Sequence, residues 1–121
     1  MAERNRLKTA VRYYPGVAVV DLDGEINAFA QAALNDAYAE ATSGQPGALL
    51  LNFGTVQYIN STGIALIVSL LTRARQSQRR LLACCLSPHY VEIFQITRLA
   101  EYIPIYEDEA GALLAASDVA S

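Results

Sequence analysis

The sequence has very few residues that could bind a metal ion or cross-link the chain. It contains one histidine, two cysteines and no tryptophan among 121 residues. The cysteines, Cys84 and Cys85, are adjacent in an apolar segment, where cysteine behaves as a small buried hydrophobic residue. Metal sites need several suitably spaced ligands, and adjacent cysteines rarely bridge in a reducing cytosol. We therefore expect no metal, no cofactor and no redox role for these residues.

A long apolar run is also missing. The most apolar segment, residues 64–71, is interrupted by Ser69 and is too short to span a bilayer. The first residues are charged and lack the apolar core of a signal peptide. These absences predict a cytoplasmic protein with no membrane association. In that compartment Asn60 is not glycosylated, although Ser61 and Thr62 complete an acceptor sequence with it.

Charged residues are scarce and slightly acidic in balance. Nine Lys and Arg residues stand against twelve Asp and Glu residues, for a net charge of -3. The arginines Arg73, Arg75, Arg79 and Arg80 do cluster, but positive charge there suits the end of a helix. A mildly acidic chain is a poor ligand for phosphate backbones, so we expect no nucleic-acid binding.

Apolar residues, by contrast, make up 53% of the chain and indicate a packed globular domain. Hydrophobic patterns predict strands at 8–14, 17–26, 47–53, 81–86 and 102–106, each alternating with helical patterns after the first hairpin. The order is β-β-α-β-α-β-α-β-α. It predicts an α/β fold with a mixed, largely parallel sheet, about four helices and one domain over residues 1–121.

Three local predictions bear on the site described below. Gly54 is expected to end the third strand, and residues 24–27 are expected to form a loop after the second. The helix that starts at Ser61 is apolar nearly all round, which predicts burial on more than one side. Asp21, Asp23 and Glu25 alternate along the second strand and are expected to be solvated.

Motifs of common enzyme classes are missing. The chain has no G-x-G-x-x-G after its first strand, no phosphate-binding loop of the G-x-x-x-x-G-K type and no G-x-S-x-G. Its one imidazole, His89, has no visible catalytic partners. We therefore predict a protein that is not an enzyme.

One long motif resembles a known family. The segment LLLNFGTVQYINSTGIALIVSLL, residues 49–71, is similar to the signature of the STAS domain, the fold of bacterial anti-sigma-factor antagonists. Residues 21–27, DLDGEIN, and residues 87–113 match an earlier and a later segment of that family in the right order. The resemblance covers most of the chain and implies the STAS fold.

The resemblance also implies a phosphorylation site. The family's phosphoacceptor falls on Ser61, with Thr62 as second choice, and the glycine of the signature falls on Gly63. The aspartate that usually precedes the acceptor is replaced by Asn60, which removes a negative charge. Near a helix start, the missing Cβ of Gly63 lets another backbone approach, which we interpret as a surface for partner docking.

The family mechanism implies specific partners. The unmodified domain would bind a serine-kinase anti-sigma factor, phosphorylation at Ser61 would release it, and a PP2C-type phosphatase would reset the domain. We expect a monomer or weak dimer. The residues predicted to contact the partner are Asn60, Thr62, Gly63, Gly24, Glu25 and Asn27.

Two other functions stay open from sequence alone. The replacement of aspartate by Asn60 and the low charge content are compatible with an unphosphorylated STAS scaffold subunit of a signalling or stress-sensing assembly. An α/β domain could also bind a nucleotide or another small ligand.

Overall fold

The computed structural model describes residues 6–117. The strands are β1 (Lys8–Tyr14), β2 (Val17–Ile26), β3 (Ala48–Ile59), β4 (Arg80–Cys84) and β5 (Ile105–Tyr106). The helices are α1 (Gln31–Thr42), α2 (Ser61–Gln76), α3 (Pro88–Ile96) and α4 (Glu109–Ser117), with 3-10 turns at Ala28–Ala30 and Leu99–Glu101. The predicted α/β fold and its element order are confirmed.

The five strands form one mixed sheet in the order β1-β2-β3-β4-β5. β1 and β2 are an antiparallel hairpin whose turn contains Pro15 and Gly16, and Gly16 has a φ of 76° that suits glycine. The other neighbouring pairs are parallel. β5 lies at the edge, as Pro104 beside it predicts.

The helices divide unequally between the two faces of the sheet. Side chains alternate along each strand, so Val20 and Leu51 belong to the core beneath α1, α2 and α3. Val19 and Leu50 belong to the opposite core, which α4 covers with small residues such as Ala112. No helix among residues 6–117 is both long and apolar enough to cross a membrane.

β3 is longer than its hydrophobic pattern indicates. The prediction that it ends before Gly54 is wrong, because it continues to Ile59 and pairs there with the end of β2. Thr55 Oγ1 donates a hydrogen bond of 2.9 Å to the Leu22 carbonyl. Side chains in this extension are mostly exposed, so hydropathy does not reveal it. The pairing also confirms the predicted strand at 17–26, so residues 24–26 are strand rather than the loop expected around them.

The prediction that α2 is buried on more than one side is also wrong. Ile67 and Leu70 are buried, but Ala65 and Val68, on the other side of the helix, are exposed. α2 packs on the sheet, on α1 and on the 3-10 turn at Ala28–Ala30, and its outer side is exposed. Apolar residues are therefore available at the surface of this helix.

The clustered arginines serve separate parts of the structure. The guanidinium groups of Arg73 and Arg75 lie over the rings of Tyr38 and Tyr102, 4.2 and 5.3 Å from their centroids. Arg79 donates a hydrogen bond to the Pro46 carbonyl, and Arg80 donates to the carbonyls of Ala115 and Ala116. These side chains fasten loops and helix ends.

A hydrogen-bonded ion cluster fastens α4 to the sheet. Arg12 donates to Asp21 at 2.7 and 2.8 Å and to Glu109, in the first turn of α4, at 2.9 and 2.6 Å. Asn52 Nδ2 also donates to Glu109 at 2.8 Å. The expectation that Asp21 is simply solvated is therefore wrong. The hydrogen bonds from Arg12 are the main cause of a lowered pKa at Glu109.

Replacing Glu109 with glutamine should make the free energy of unfolding depend less on pH in the acid range. A lowered folded-state pKa means that the charged carboxylate stabilises the fold at neutral pH, and that this contribution is lost as pH falls below about 4.5. We expect Glu109→Gln to lower the free energy of unfolding at pH 7 by about 1 kcal/mol, with the difference shrinking in acid. Urea denaturation at several pH values measures both effects.

The matched control is Glu101→Gln. Glu101 pairs with Arg98, but their side chains are 51% and 75% exposed, so the loss should be near zero at every pH. Equal losses for the two variants at pH 7 would contradict a special role for the cluster at Glu109.

Candidate functional site

The start of α2 is held by the carbonyl group of Ile26, the last residue of β2. Asn60 N–H donates a hydrogen bond to this oxygen at 3.2 Å. Gly63 lies against the same oxygen, and a Cβ atom built at Gly63 would overlap it. A glycine is therefore required where the first turn of α2 crosses the end of β2.

This close approach corrects the interpretation of Gly63. The sequence predicted that its missing Cβ would admit the backbone of a partner, but the backbone that approaches belongs to Ile26 of the same chain. Gly63 is buried and so is Gly24, whose φ of 119° lies in a bulged part of β2. Both glycines shape the backbone beneath the surface, and their contact with a partner stays a prediction.

Asn60 is the N-cap of α2. Its Oδ1 accepts a hydrogen bond of 2.8 Å from Gly63 N–H, and its carbonyl accepts one of 2.9 Å from Ile64 N–H. Its backbone is extended, as an N-cap requires. The cap needs only a side-chain oxygen, so asparagine performs it as aspartate would, without the negative charge.

Ser61 and Thr62 are the first two residues of α2, and both are exposed. The first four N–H groups of a helix have no partner within it. The N–H of Asn60 donates to the Ile26 carbonyl and that of Gly63 donates to the Asn60 side chain, whereas those of Ser61 and Thr62 donate to no group within residues 6–117. Exposed hydroxyls therefore stand beside free donors at the positive end of a helix dipole, where an anion is favoured.

The other predicted contact residues lie beside this helix start. Glu25 is paired with Tyr58 across β2 and β3, and Asn27 directly follows the Ile26 carbonyl. Glu25 and Asn27 are half-buried. Asn27 Oδ1 accepts a hydrogen bond of 2.9 Å from Phe29 N–H and so caps the 3-10 turn that precedes α1.

Tyr90 supports the site from below and was not found from the sequence. Its hydroxyl accepts a hydrogen bond of 2.9 Å from the N–H of Ile59, the residue before the N-cap. Tyr90 is buried in α3, which begins with Ser87 as N-cap and Pro88 at its first position. The start of α3 thus bears directly on the strand end that presents Asn60 and Ser61.

Phe29 is a second residue that sequence analysis missed. It lies on the 3-10 turn against which α2 packs, and 78% of its surface is exposed. Tyr58, in the β3 extension, is 51% exposed. The available signal was periodicity, since Phe29 lies outside the spacing of Ala30, Leu34 and Ala37 that marks the buried side of α1.

The fold is a mixed sheet with three helices on one face and one on the other. At the end of β3, exposed hydroxyls lie at the capped start of α2. These features define a STAS-type domain. A profile of the STAS domain family matches residues 8–112. The chain belongs to the STAS domain family.

Individual proteins are also similar to this chain in sequence or in structure. BtrV of Bordetella bronchiseptica is 28% identical over 102 residues, which are 78% of this chain and 88% of BtrV. The anti-sigma-F factor antagonist RsfB of Mycobacterium tuberculosis is 29% identical over 77 residues, 64% of this chain and 63% of RsfB. A crystal structure of an anti-sigma factor antagonist from Mycobacterium paratuberculosis has a TM-score of 0.82 at 23% identity, covering 98% of this chain and 100% of that one.

Gly63→Ala should destabilise the protein, because the new methyl group would overlap the Ile26 carbonyl. We expect the free energy of unfolding to fall by about 1–3 kcal/mol, the usual cost of an overpacked site. The control is Gly47→Ala, where an added Cβ meets no atom within 4 Å. Urea denaturation measures both, and a Gly63→Ala variant as stable as the control would contradict the close approach.

Proposed function

We propose that the protein is an anti-sigma-factor antagonist whose binding to a serine-kinase anti-sigma factor is switched off by phosphorylation of Ser61. Membership of the STAS family and the similarity to RsfB support the class of function. The observation that carries the proposal is the exposure of Ser61 at a capped helix start. Residues 1–121 act in it as one STAS domain, by binding rather than by catalysis.

The unmodified protein offers a mixed polar and apolar docking surface around Ser61. Thr62, Ala65 and Val68 are exposed on the outer side of α2, and Phe29 projects from the adjoining turn. Exposed aromatic residues beside small and aliphatic ones are typical of the centres of protein interfaces. The anti-sigma factor would cover this surface and thereby release its sigma factor in the cytoplasm.

Phosphorylation would add about -1.5 to -2 charges at Ser61 at neutral pH. The free donors of the helix start and the helix dipole accommodate an anion, so the domain itself should stay folded. A partner packed over Ser61 would lose close contact and gain repulsion and desolvation costs. A few kcal/mol of such costs weakens binding roughly a hundred-fold or more. A PP2C-type phosphatase would restore the binding form.

Asn60 bears on which kinase recognises the site. The structure keeps the capping hydrogen bond that an aspartate would make, so the geometry at Ser61 does not depend on a negative charge. A kinase that reads the shape of the helix start would accept this chain. One that reads an acidic residue before the acceptor would not, which makes kinase selectivity a property of Asn60 in this proposal.

Incubation with the cognate serine-kinase anti-sigma factor and Mg-ATP should add one phosphoryl group to the protein. Ser61→Ala should abolish the gain in intact mass, whereas Thr62→Ala should retain it. The two hydroxyls are both exposed, so this pair of variants distinguishes the first from the second candidate. Phosphorylation of Ser61→Ala to the same extent as the native protein would contradict the assignment.

The charge itself is tested by Ser61→Asp with Ser69→Asp as control. Ser69 is also exposed on α2, two turns further along, and receives the same charge away from the helix start. We expect Ser61→Asp to weaken anti-sigma-factor binding at least about tenfold and Ser69→Asp to change it much less, as measured by calorimetry. Equal effects would contradict a localised switch.

Phe29→Ala should weaken partner binding without destabilising the domain. Removing an exposed aromatic anchor costs about 2 kcal/mol or more at an interface, but little in the free protein. The control is Leu114→Ala, since Leu114 is 74% exposed on α4 across the sheet from the proposed surface. Calorimetry should show a loss for Phe29→Ala only, and unchanged affinity would remove Phe29 from the proposed surface.

A further inference from the structure

The sequence predicts that both cysteines are small buried hydrophobic residues, and the structure differs from that prediction at Cys85. Successive side chains of a strand point to opposite faces of the sheet. β4 ends at Cys84, however, and Cys85 has a left-handed backbone with φ of 72°. This turn brings the two sulfur atoms into direct contact on the same side of the chain.

The paired thiols differ in accessibility. Cys84 is fully buried in the core beneath α4, whereas Cys85 is half-buried and reachable from solvent. The backbone of Cys85 is fixed by a hydrogen bond of 3.1 Å from its N–H to the Tyr106 carbonyl. A left-handed conformation at a residue other than glycine costs free energy, and such positions occur preferentially at functional sites. The arrangement therefore presents one thiol to a reagent while holding a second thiol in contact with it.

We propose that Cys84 and Cys85 form a redox modification site that closes to a vicinal disulfide under oxidising conditions. The oxidant is a small-molecule disulfide of the glutathione class. The Cα atoms of adjacent residues are only about 3.8 Å apart, below the usual range for disulfides, so the bond is strained and easily reduced. In a reducing cytosol the thiol form is then the resting state, and the disulfide is transient.

Oxidation of the two thiols by oxidised glutathione proceeds in two steps of thiol–disulfide exchange. The Cys85 thiolate attacks one sulfur of oxidised glutathione, forms a mixed disulfide and expels one glutathione thiolate. Cys84 then loses its proton to solvent and attacks Cys85 Sγ, which closes the ring and expels the second glutathione thiolate. Two protein thiols are oxidised while one glutathione disulfide is reduced to two thiols. Burial raises the pKa of Cys84, so the second step should be the slower one and should accelerate as pH rises.

Formation of the Cys84–Cys85 disulfide would act on the candidate site through the few residues that join Cys85 to α3. Cys85 lies two residues before Ser87, the N-cap of α3, and α3 carries the Tyr90 hydroxyl that binds Ile59 N–H. A covalent constraint at Cys85 alters the segment that positions Tyr90 beneath the residue preceding Asn60. Any consequence for partner binding rests on the proposed function, but the disulfide itself and its effect at Ile59 do not.

Treatment of the 121-residue protein with oxidised glutathione, followed by intact mass spectrometry, tests the chemistry. The native protein should pass through an adduct of about 305 Da and finish with a net loss of about 2 Da as a monomer. Cleavage after Arg80 and Arg98 leaves both cysteines in residues 81–98, where the loss should be found. A native protein that stops at the adduct, or whose two thiols remain open to alkylation, would overturn the disulfide.

Single variants separate the roles of the two thiols. Cys84→Ser should accumulate the glutathione adduct because the second thiol is missing, and Cys85→Ser should react little because Cys84 is buried. The amide signal of Ile59, followed by NMR, should shift in the oxidised native protein and not in oxidant-treated Cys85→Ser. An unchanged Ile59 signal in protein that has lost about 2 Da would overturn the connection to the site and leave the disulfide established.

Discussion

The contact between the Ile26 carbonyl and the first turn of α2 is the constraint on which the candidate site depends. One oxygen accepts the N–H of Asn60 and excludes a side chain at Gly63, so β2, the end of β3 and α2 converge on it. Because a backbone group sets the position, the helix start is held by main-chain contacts as well as by side-chain packing. Ser61 is exposed on the first turn of a helix rather than on a loop, so a charge added there acts at a defined place.

The two faces of the sheet have different tasks in this fold. The face with three helices carries the site, the supporting Tyr90 and the exposed residues proposed to meet a partner. The other face is closed by α4, which small apolar residues seat on the sheet and which Arg12 ties to two strands through Asp21 and Glu109. A partner that binds the first face, as proposed, would leave the attachment of α4 undisturbed. The thiol pair lies where these two regions meet, because Cys84 belongs to the α4 core and Cys85 leads into α3.

The predictable part of the structure is local. The hairpin, the element order and the cap at Ser87 follow from residue preferences that act over a few positions, and the structure has all of them. The exposed side of α2 was not predictable in the same way, since apolar residues such as Val68 look alike whether a neighbour covers them or not. The extension of β3 was missed for the converse reason. Its exposed side chains show no hydrophobic pattern, and its backbone pairing with β2 involves residues about thirty positions away.

The amino-acid order alone therefore determined the α/β class, the position of the helix start at Asn60 and the motif that marks Ser61 as the candidate acceptor. Only the tertiary structure decided which backbone occupies the space at Gly63 and which carboxylates Arg12 binds. The physical reason is distance along the chain. Arg12 and Glu109 are 97 residues apart, and contacts of that kind depend on how completed elements pack rather than on the preferences of neighbouring residues.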